Sequence, residues 1–213
     1  MRKFIQFCFY HFYHSFAWTY DFVASVVSIG RWQDWGGMAL PYVRGPRVLE
    51  LGFGPGHLQV ALNRLGLRAF GLDESRQMVR LACANLRDAN QPEQLTRGYA
   101  QYLPYASASF DSLLATFPSE YIADRRTLAE LLRVLKPGGR VVVLPVAGLH
   151  SPALADRAAS WLFRITGQSA QVTQSLEMRY RKLFDQAGFE VQVIHAEIRK
   201  STVMIVLANK SNL

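Results

Sequence analysis

The chain alternates short apolar runs of strand length with stretches of helical periodicity. Arg47–Phe53 (RVLELGF) is an apolar run ending in glycines, which predicts a buried strand. His57–Leu65 predicts a helix, and Ala69–Asp73 (AFGLD) a second short strand. Ser75 stands as the cap of a helix running to about Ala89. Thr96–Ala100 and Phe110–Phe117 (FDSLLATF) predict third and fourth strands. Asp124–Leu135 predicts a helix with Leu128, Leu131, Leu132 and Leu135 on one face. Pro137-Gly138-Gly139 is a tight turn into a fifth strand, Arg140–Val146 (RVVVLPV). Strands alternating with helices imply βαβ units and a mostly parallel sheet, buried on both faces as VVVL requires. The tail differs. A helix over Ser175–Ala187 closes at Gly188, and Glu190–Ile198 and Thr202–Ala208 follow as consecutive strands. The link Arg199-Lys200-Ser201 is so short that this pair can only be antiparallel. The expected architecture is α/β: a mostly parallel seven-stranded sheet with an antiparallel C-terminal strand pair.

Residues 4–29 predict one or two further helices, with Phe9, Phe12, Tyr13, Phe16, Tyr20 and Val23 on one face. Of the 26 aromatic residues, 12 fall within residues 1–35. The segment is too broken by Gln6, His11, His14 and Asp21 for a secretory leader or a membrane span. It reads as a core-packed helix, as a lid over an apolar substrate, or as an interfacial anchor giving residues 1–30 contact with a membrane surface. Pro41, Gly45 and Pro46 mark a boundary, so 1–44 is an N-terminal aromatic helical cap and 45–213 the main domain of one compact unit. Residues 148–175 form the longest unassigned connection and hold Trp161-Leu162-Phe163-Arg164-Ile165 within a predicted helix.

At 213 residues, half apolar and 19% charged, the chain suits one globular domain. Two cysteines, Cys8 and Cys83, fit a reducing, cytoplasmic setting and no zinc cage. The net charge of +8 is spread as +3 over residues 1–47, +2 over 48–150 and +3 over 151–213. Without a basic run, nucleic acid is not an expected partner, whereas anionic lipid or acidic metabolites suit a diffuse positive surface.

The chemistry centres on Glu50-Leu51-Gly52-Phe53-Gly54-Pro55-Gly56. Glycines at a strand-to-helix turn let a ligand approach the backbone, and the helix start presents free N–H groups. Such a turn also serves simply to pack a helix on a sheet. Here the spacing is G-x-G-x-G, and Asp73 closes the next strand 17 residues after Gly56, where an acid accepts both hydroxyls of a ribose. Glu50, an acid within an apolar strand, calls for a cationic amine nearby. S-adenosylmethionine offers an amine, a carboxylate and an adenosine together.

VLELGFGPGH, GLDES, LPYASASFD and LRVLKPGGRVVV resemble, in order and spacing, the class I S-adenosylmethionine-dependent methyltransferases, in particular the type 11 group that includes ubiquinone and menaquinone methyltransferases. The resemblance covers about residues 45–147, and FAWTYDFVASVVSIGRWQDW adds a looser match to the quinone-type enzymes. It implies a Rossmann-like fold with S-adenosyl-L-methionine as cofactor. Glu50, Gly52, Gly54 and Gly56 would hold the methionine part, and Asp73 the ribose. Glu74 and Met78 would lie beside ribose and adenine, and the stretch with Ala100 and Gln101 would wrap the adenine. Thr116 and Phe117 would border the methyl group. Family members often carry Gly-Asp-Ala where this chain has Gly98-Tyr99-Ala100-Gln101. Tyr99 supplies no carboxylate, which leaves Gln101, a backbone carbonyl or a weaker hold on adenine.

Methyl transfer from a sulfonium needs alignment and a dry site, and a general base only where the acceptor loses a proton. The candidates for that base are His14, Glu120, Tyr121 and His150. His57 reads as bordering the cofactor and His195 as structural. His11 and His14, one turn apart, lack further ligands at metal-binding spacing, so no metal is expected. Thr116-Phe117-Pro118-Ser119 replaces the Asn-Pro-Pro-Tyr of enzymes that methylate the amino groups of bases or of protein glutamines. The leading expectation is a methyltransferase acting on a small, apolar, lipid- or quinone-like acceptor. The alternatives are a cofactor-binding but inactive module that works through a protein partner, and a methyltransferase of RNA or protein. A nicotinamide oxidoreductase is disfavoured by the glycine spacing, Glu50 and the antiparallel tail.

Overall fold

The computed structural model describes residues 32–149, 170–198 and 201–212. The helices expected over 4–29, the aromatic connection around Trp161, and residues His11, His14 and His150 lie outside the described residues.

Seven strands form one sheet in the order β3-β2-β1-β4-β5-β7-β6. They are β1 Arg47–Leu51, β2 Arg68–Asp73, β3 Leu95–Arg97, β4 Phe110–Thr116, β5 Leu135–Leu149, β6 Phe189–Ile198 and β7 Ser201–Lys210. The first five pair in parallel, and β7 runs antiparallel between β5 and β6. The helices are α1 Trp32–Gly37, α2 His57–Arg64, α3 Arg76–Asp88, α4 Arg125–Val134 and α5 Ala170–Gln186. Short 3-10 turns cover Leu40–Tyr42 and Glu120–Ala123. The expected mostly parallel sheet with its antiparallel end is the one observed.

Local chemistry sets most boundaries. The Ser75 hydroxyl accepts from the Met78 amide at 3.3 Å and opens α3. The Asp124 carboxylate accepts from the Arg126 amide at 2.8 Å and opens α4. Lys210 Nζ donates to the carbonyls of Leu132 and Leu135, at 2.7 and 2.8 Å, and so satisfies acceptors at the end of α4.

Three boundaries depart from expectation. β3 stops at Arg97 instead of reaching Ala100, because its only partner ends: Asp73 pairs with Arg97, and the Gly98 amide makes a last bond to the Asp73 carbonyl. β5 begins before the glycine turn, with Leu135 already opposite Phe110; Lys136–Gly139 then loop out before Arg140 meets Ser112. It continues to Leu149 because β7 pairs along it, with an irregularity between Val143 and Val146 where Pro145 has no amide to offer. Helix α5 starts at Ala170, earlier than the periodicity placed it.

Core side chains fill both faces of the sheet. On one, Leu49, Leu51, Leu113, Val141 and Val143 pack with Leu131 and Phe184. On the other, Val48, Leu114 and Val142 pack with Trp35, Ala39 and Leu62, so residues just before Gly45 share the core of the sheet. Phe110 anchors the first face, edge-on to Phe70 at 5.4 Å and to Tyr105 at 5.0 Å, with the Arg47 guanidinium 4.8 Å from the Phe70 centroid. Phe110→Ala is expected to cost about 3–5 kcal/mol in urea unfolding, because Phe70 is fixed on β2 and Tyr105 is tied by its hydroxyl to Thr96 on β3, so the rings around the void cannot collapse into it.

Candidate functional site

The carboxyl ends of β1, β2 and β4 meet at the glycine turn. Gly52, Gly54 and Gly56 have φ of +67°, +53° and +85°, the region where only glycine is relaxed. A Cβ at Gly52 would sit 3.0 Å from the Tyr121 hydroxyl, and one at Gly56 would sit 2.8 Å from Ala82 Cβ on α3. Gly56 is therefore demanded by helix packing as well as by backbone shape. Asp73 fastens the turn: its carboxylate accepts from the Gly54 amide at 3.0 Å and from the Ser75 amide at 2.8 Å. Burial pushes the Asp73 carboxyl up, and these two N–H groups pull it back. Asn85 Nδ2 holds the Pro55 carbonyl at 2.9 Å from the α3 side.

Glu50 sits one residue before the end of β1 and is 1% exposed. Its Oε2 accepts from Gln59 Nε2 at 2.7 Å, and no Lys, Arg or His among the described residues pairs with it. Burial, the largest cause, pushes its carboxyl up to about 8, against the pull of the Gln59 amide. Glu50, Gly52, Gly54 and Thr116 line one cavity of about 450 Å³, whose other walls include Leu40 near α1 and Leu58 on α2. A buried carboxylate without a cation, opening on such a cavity, fits a ligand that brings a positive charge.

The remaining expected residues are placed as follows. His57 also lines the cavity. Asp73 holds the turn from the β2 side, and Glu74 beside it is exposed, its carbonyl accepting from Arg97 Nε at 3.0 Å. Met78 is fully buried and presents no surface to a ligand. Ala100 is buried, Tyr99 is exposed, and Gln101 Nε2 lies 3.4 Å from Asp124 Oδ2. Phe117 has φ of +48°, a strained conformation for a bulky residue, directly after β4. Glu120 is exposed on the following 3-10 turn, whereas the Tyr121 hydroxyl donates to the Leu51 carbonyl at 3.0 Å and braces the glycine turn. His195 lies on β6 with Nε2 2.9 Å from Glu177 Oε2, remote in the sheet order from β1. No cluster of metal-ligating side chains occurs among the described residues. Sequence reasoning passed over Gln59, whose one signal was its place with Leu62 on the buried side of α2.

Residues 49–143 match the family model of a methyltransferase domain. A demethylmenaquinone methyltransferase of Thermobifida fusca is 33% identical over 72% of this chain and 66% of its own length. A demethylmenaquinone methyltransferase of Corynebacterium glutamicum is 30% identical over 78% of this chain and 72% of its own length. The fold of a candidate S-adenosylmethionine-dependent methyltransferase from Methanococcus maripaludis superposes with a TM-score of 0.66 at 17% identity, covering 92% of this chain and 93% of that one. The chain belongs to the type 11 family of class I S-adenosylmethionine-dependent methyltransferases. The cofactor of that family is S-adenosylmethionine, and the unpaired Glu50 carboxylate beside an open glycine turn suits its ammonium group. The chain spans between about half and two thirds of the length of the first relatives it matches.

The raised Glu50 pKa is also a statement about stability. The folded protein holds this proton more tightly than the unfolded chain, whose carboxyl titrates near 4.5. Stability present at low pH is therefore lost as pH climbs toward 8. The ligand-free protein is expected to lose on the order of 4–5 kcal/mol between about pH 4.5 and 8 from this group, and Glu50→Gln to flatten the fall, read from urea unfolding across that window.

Proposed function

We propose that this chain transfers the methyl group of S-adenosylmethionine to a small apolar acceptor with a quinone-like ring. The observation that carries the reading is the convergence of a buried Glu50 without a cationic partner, the open backbone of Gly52 and the β4 end at Thr116 on one cavity. The relatives named as demethylmenaquinone methyltransferases support the acceptor class. Apolar walls such as Phe53, Leu58 and Leu65 support it as well.

When bound, S-adenosylmethionine supplies a methyl group on a positively charged sulfur, already activated for displacement. The chain's own work is orientation and exclusion of water. Glu50 receives the ammonium group, and the Gly52–Gly54 backbone receives the rest of the methionine part. Asp73, already accepting from Gly54 and Ser75, keeps lone pairs for the ribose hydroxyls. Thr116, at the end of β4, borders the methyl group, and Phe117 backs it from the core side. Of the two candidates just after β4, Tyr121 is committed to the Leu51 carbonyl and Glu120 lines a separate cavity with Pro118 and Tyr180, so neither is set to take a proton from an acceptor in the Glu50 cavity.

Calorimetric titration with S-adenosylmethionine, S-adenosylhomocysteine and NAD tests the cofactor. Both sulfur compounds should bind, NAD should not, and Glu50→Gln should weaken both by about tenfold or more, the worth of a buried charge-assisted contact. Labelled methyl transfer into quinol-type rings, with hydrophilic amines as comparison, tests the acceptor. Transfer to the amines alone would remove the quinone-like reading and leave the cofactor standing.

A further inference from the structure

Gln59 is a buried amide satisfied on one side only. It projects from α2 at 1% exposure, and its Nε2 bridges two strands, donating to Glu50 Oε2 at 2.7 Å and to the Phe70 carbonyl at 3.2 Å. Two acceptors at one nitrogen fix which way the amide faces, since the flipped form would set oxygen against oxygen. Its Oε1 is buried and has no hydrogen-bond partner. An apolar side chain of the same volume would fill the space between α2 and the sheet without that orphan, so stability alone does not account for a glutamine here. Its effect falls on Glu50: a donor aimed at a carboxylate favours the ionised form and fixes its rotamer.

We propose that Gln59 is a positioning residue for cation recognition, favouring the ionised form of Glu50 and keeping it turned to the cavity so that it receives the ammonium group of the cofactor. The proposal rests on the cofactor reading above. It makes binding a proton-coupled event. Below the pKa of Glu50 the ligand-free site carries a proton on that carboxyl, and the incoming ammonium drives it off. Affinity rises with pH on the acid limb and falls again where the ligand's amine loses its own proton. The other charged groups near the pair are Asp73, which faces it from β2 and works against ionisation of Glu50, and His57 and Arg64, which line the same cavity from the two ends of α2.

The test is Gln59→Met, which keeps the length and removes the donor. Binding of S-adenosylhomocysteine and of 5′-methylthioadenosine, which lacks the amino acid part, is measured from about pH 6 to 9, with thermal unfolding alongside. The expected result is about tenfold weaker binding of S-adenosylhomocysteine at pH 7, an acid limb displaced to higher pH, and unchanged binding of methylthioadenosine. The melting temperature stays level or rises. Gln59→Leu, a second donor-free variant, should behave the same way. A parallel loss for both ligands with a lowered melting temperature and an unmoved pH profile would make Gln59 a packing residue and overturn the proposal. Failure of the unsubstituted protein to bind either compound would overturn the cofactor reading itself.

Discussion

The site depends on a single carboxylate that does no chemistry in the ligand-free protein. Asp73 reaches from the end of β2 to the Gly54 amide and to the Ser75 amide. Two loops from separate βα units are thereby held at a fixed separation. The same two bonds shape the backbone above Glu50 and bring Ser75 to the start of α3, where its hydroxyl caps the helix. Without that tie, a turn with a left-handed glycine at every second position would be a flexible linker, given the conformational freedom of glycine. With it, they form a rigid rim.

The two buried acids divide between them what a site of this kind needs. Asp73 is satisfied by backbone amides and acts as part of the scaffold. Glu50 has one neutral donor and remains short of a partner. The difference follows from position: Asp73 ends its strand, where loop amides are free, whereas Glu50 is still within the β1 ladder, whose amides are engaged with β2 and β4. Stability given up at Glu50 is recoverable only by a ligand carrying positive charge, which is how a binding site acquires selectivity.

Much of this was legible in the sequence because it is local. Ser75 and Asp124 cap helices that begin where the residue types demand, and the apolar runs of β1, β2 and β4 are strands because they are buried on both sides. Glu50, Gly52, Gly54 and Thr116 were expected together and line one cavity. The departures at β3, β5, Met78 and Gln59 are non-local. The length of β3 is set by where β2 ends, and the reach of β5 by pairing with the distant β7, as with Arg140 and Asn209, 69 positions apart. Met78 sits at helical spacing from Ser75 and was expected at the ligand, yet the packing of α3 buries it. Gln59 shows the same limit from the other side, since its partners Glu50 and Phe70 lie on two strands that periodicity cannot bring together.

The position of β7 bears on how the protein is made. This strand, the last of the sheet in chain order, is inserted between β5 and β6, and its Lys210 caps α4. During synthesis β5 emerges with Val141–Val143 on an open edge, and β6 emerges with no strand beside it, only α5. Both wait for residues 201–210 before they are covered. One flank of the sheet thus closes only once residues 201–210 have emerged, leaving a long apolar edge open to aggregation or to chaperones in the interval. The glycine turn is built from β1, β2 and the start of α3, and its tethers are complete more than a hundred residues earlier.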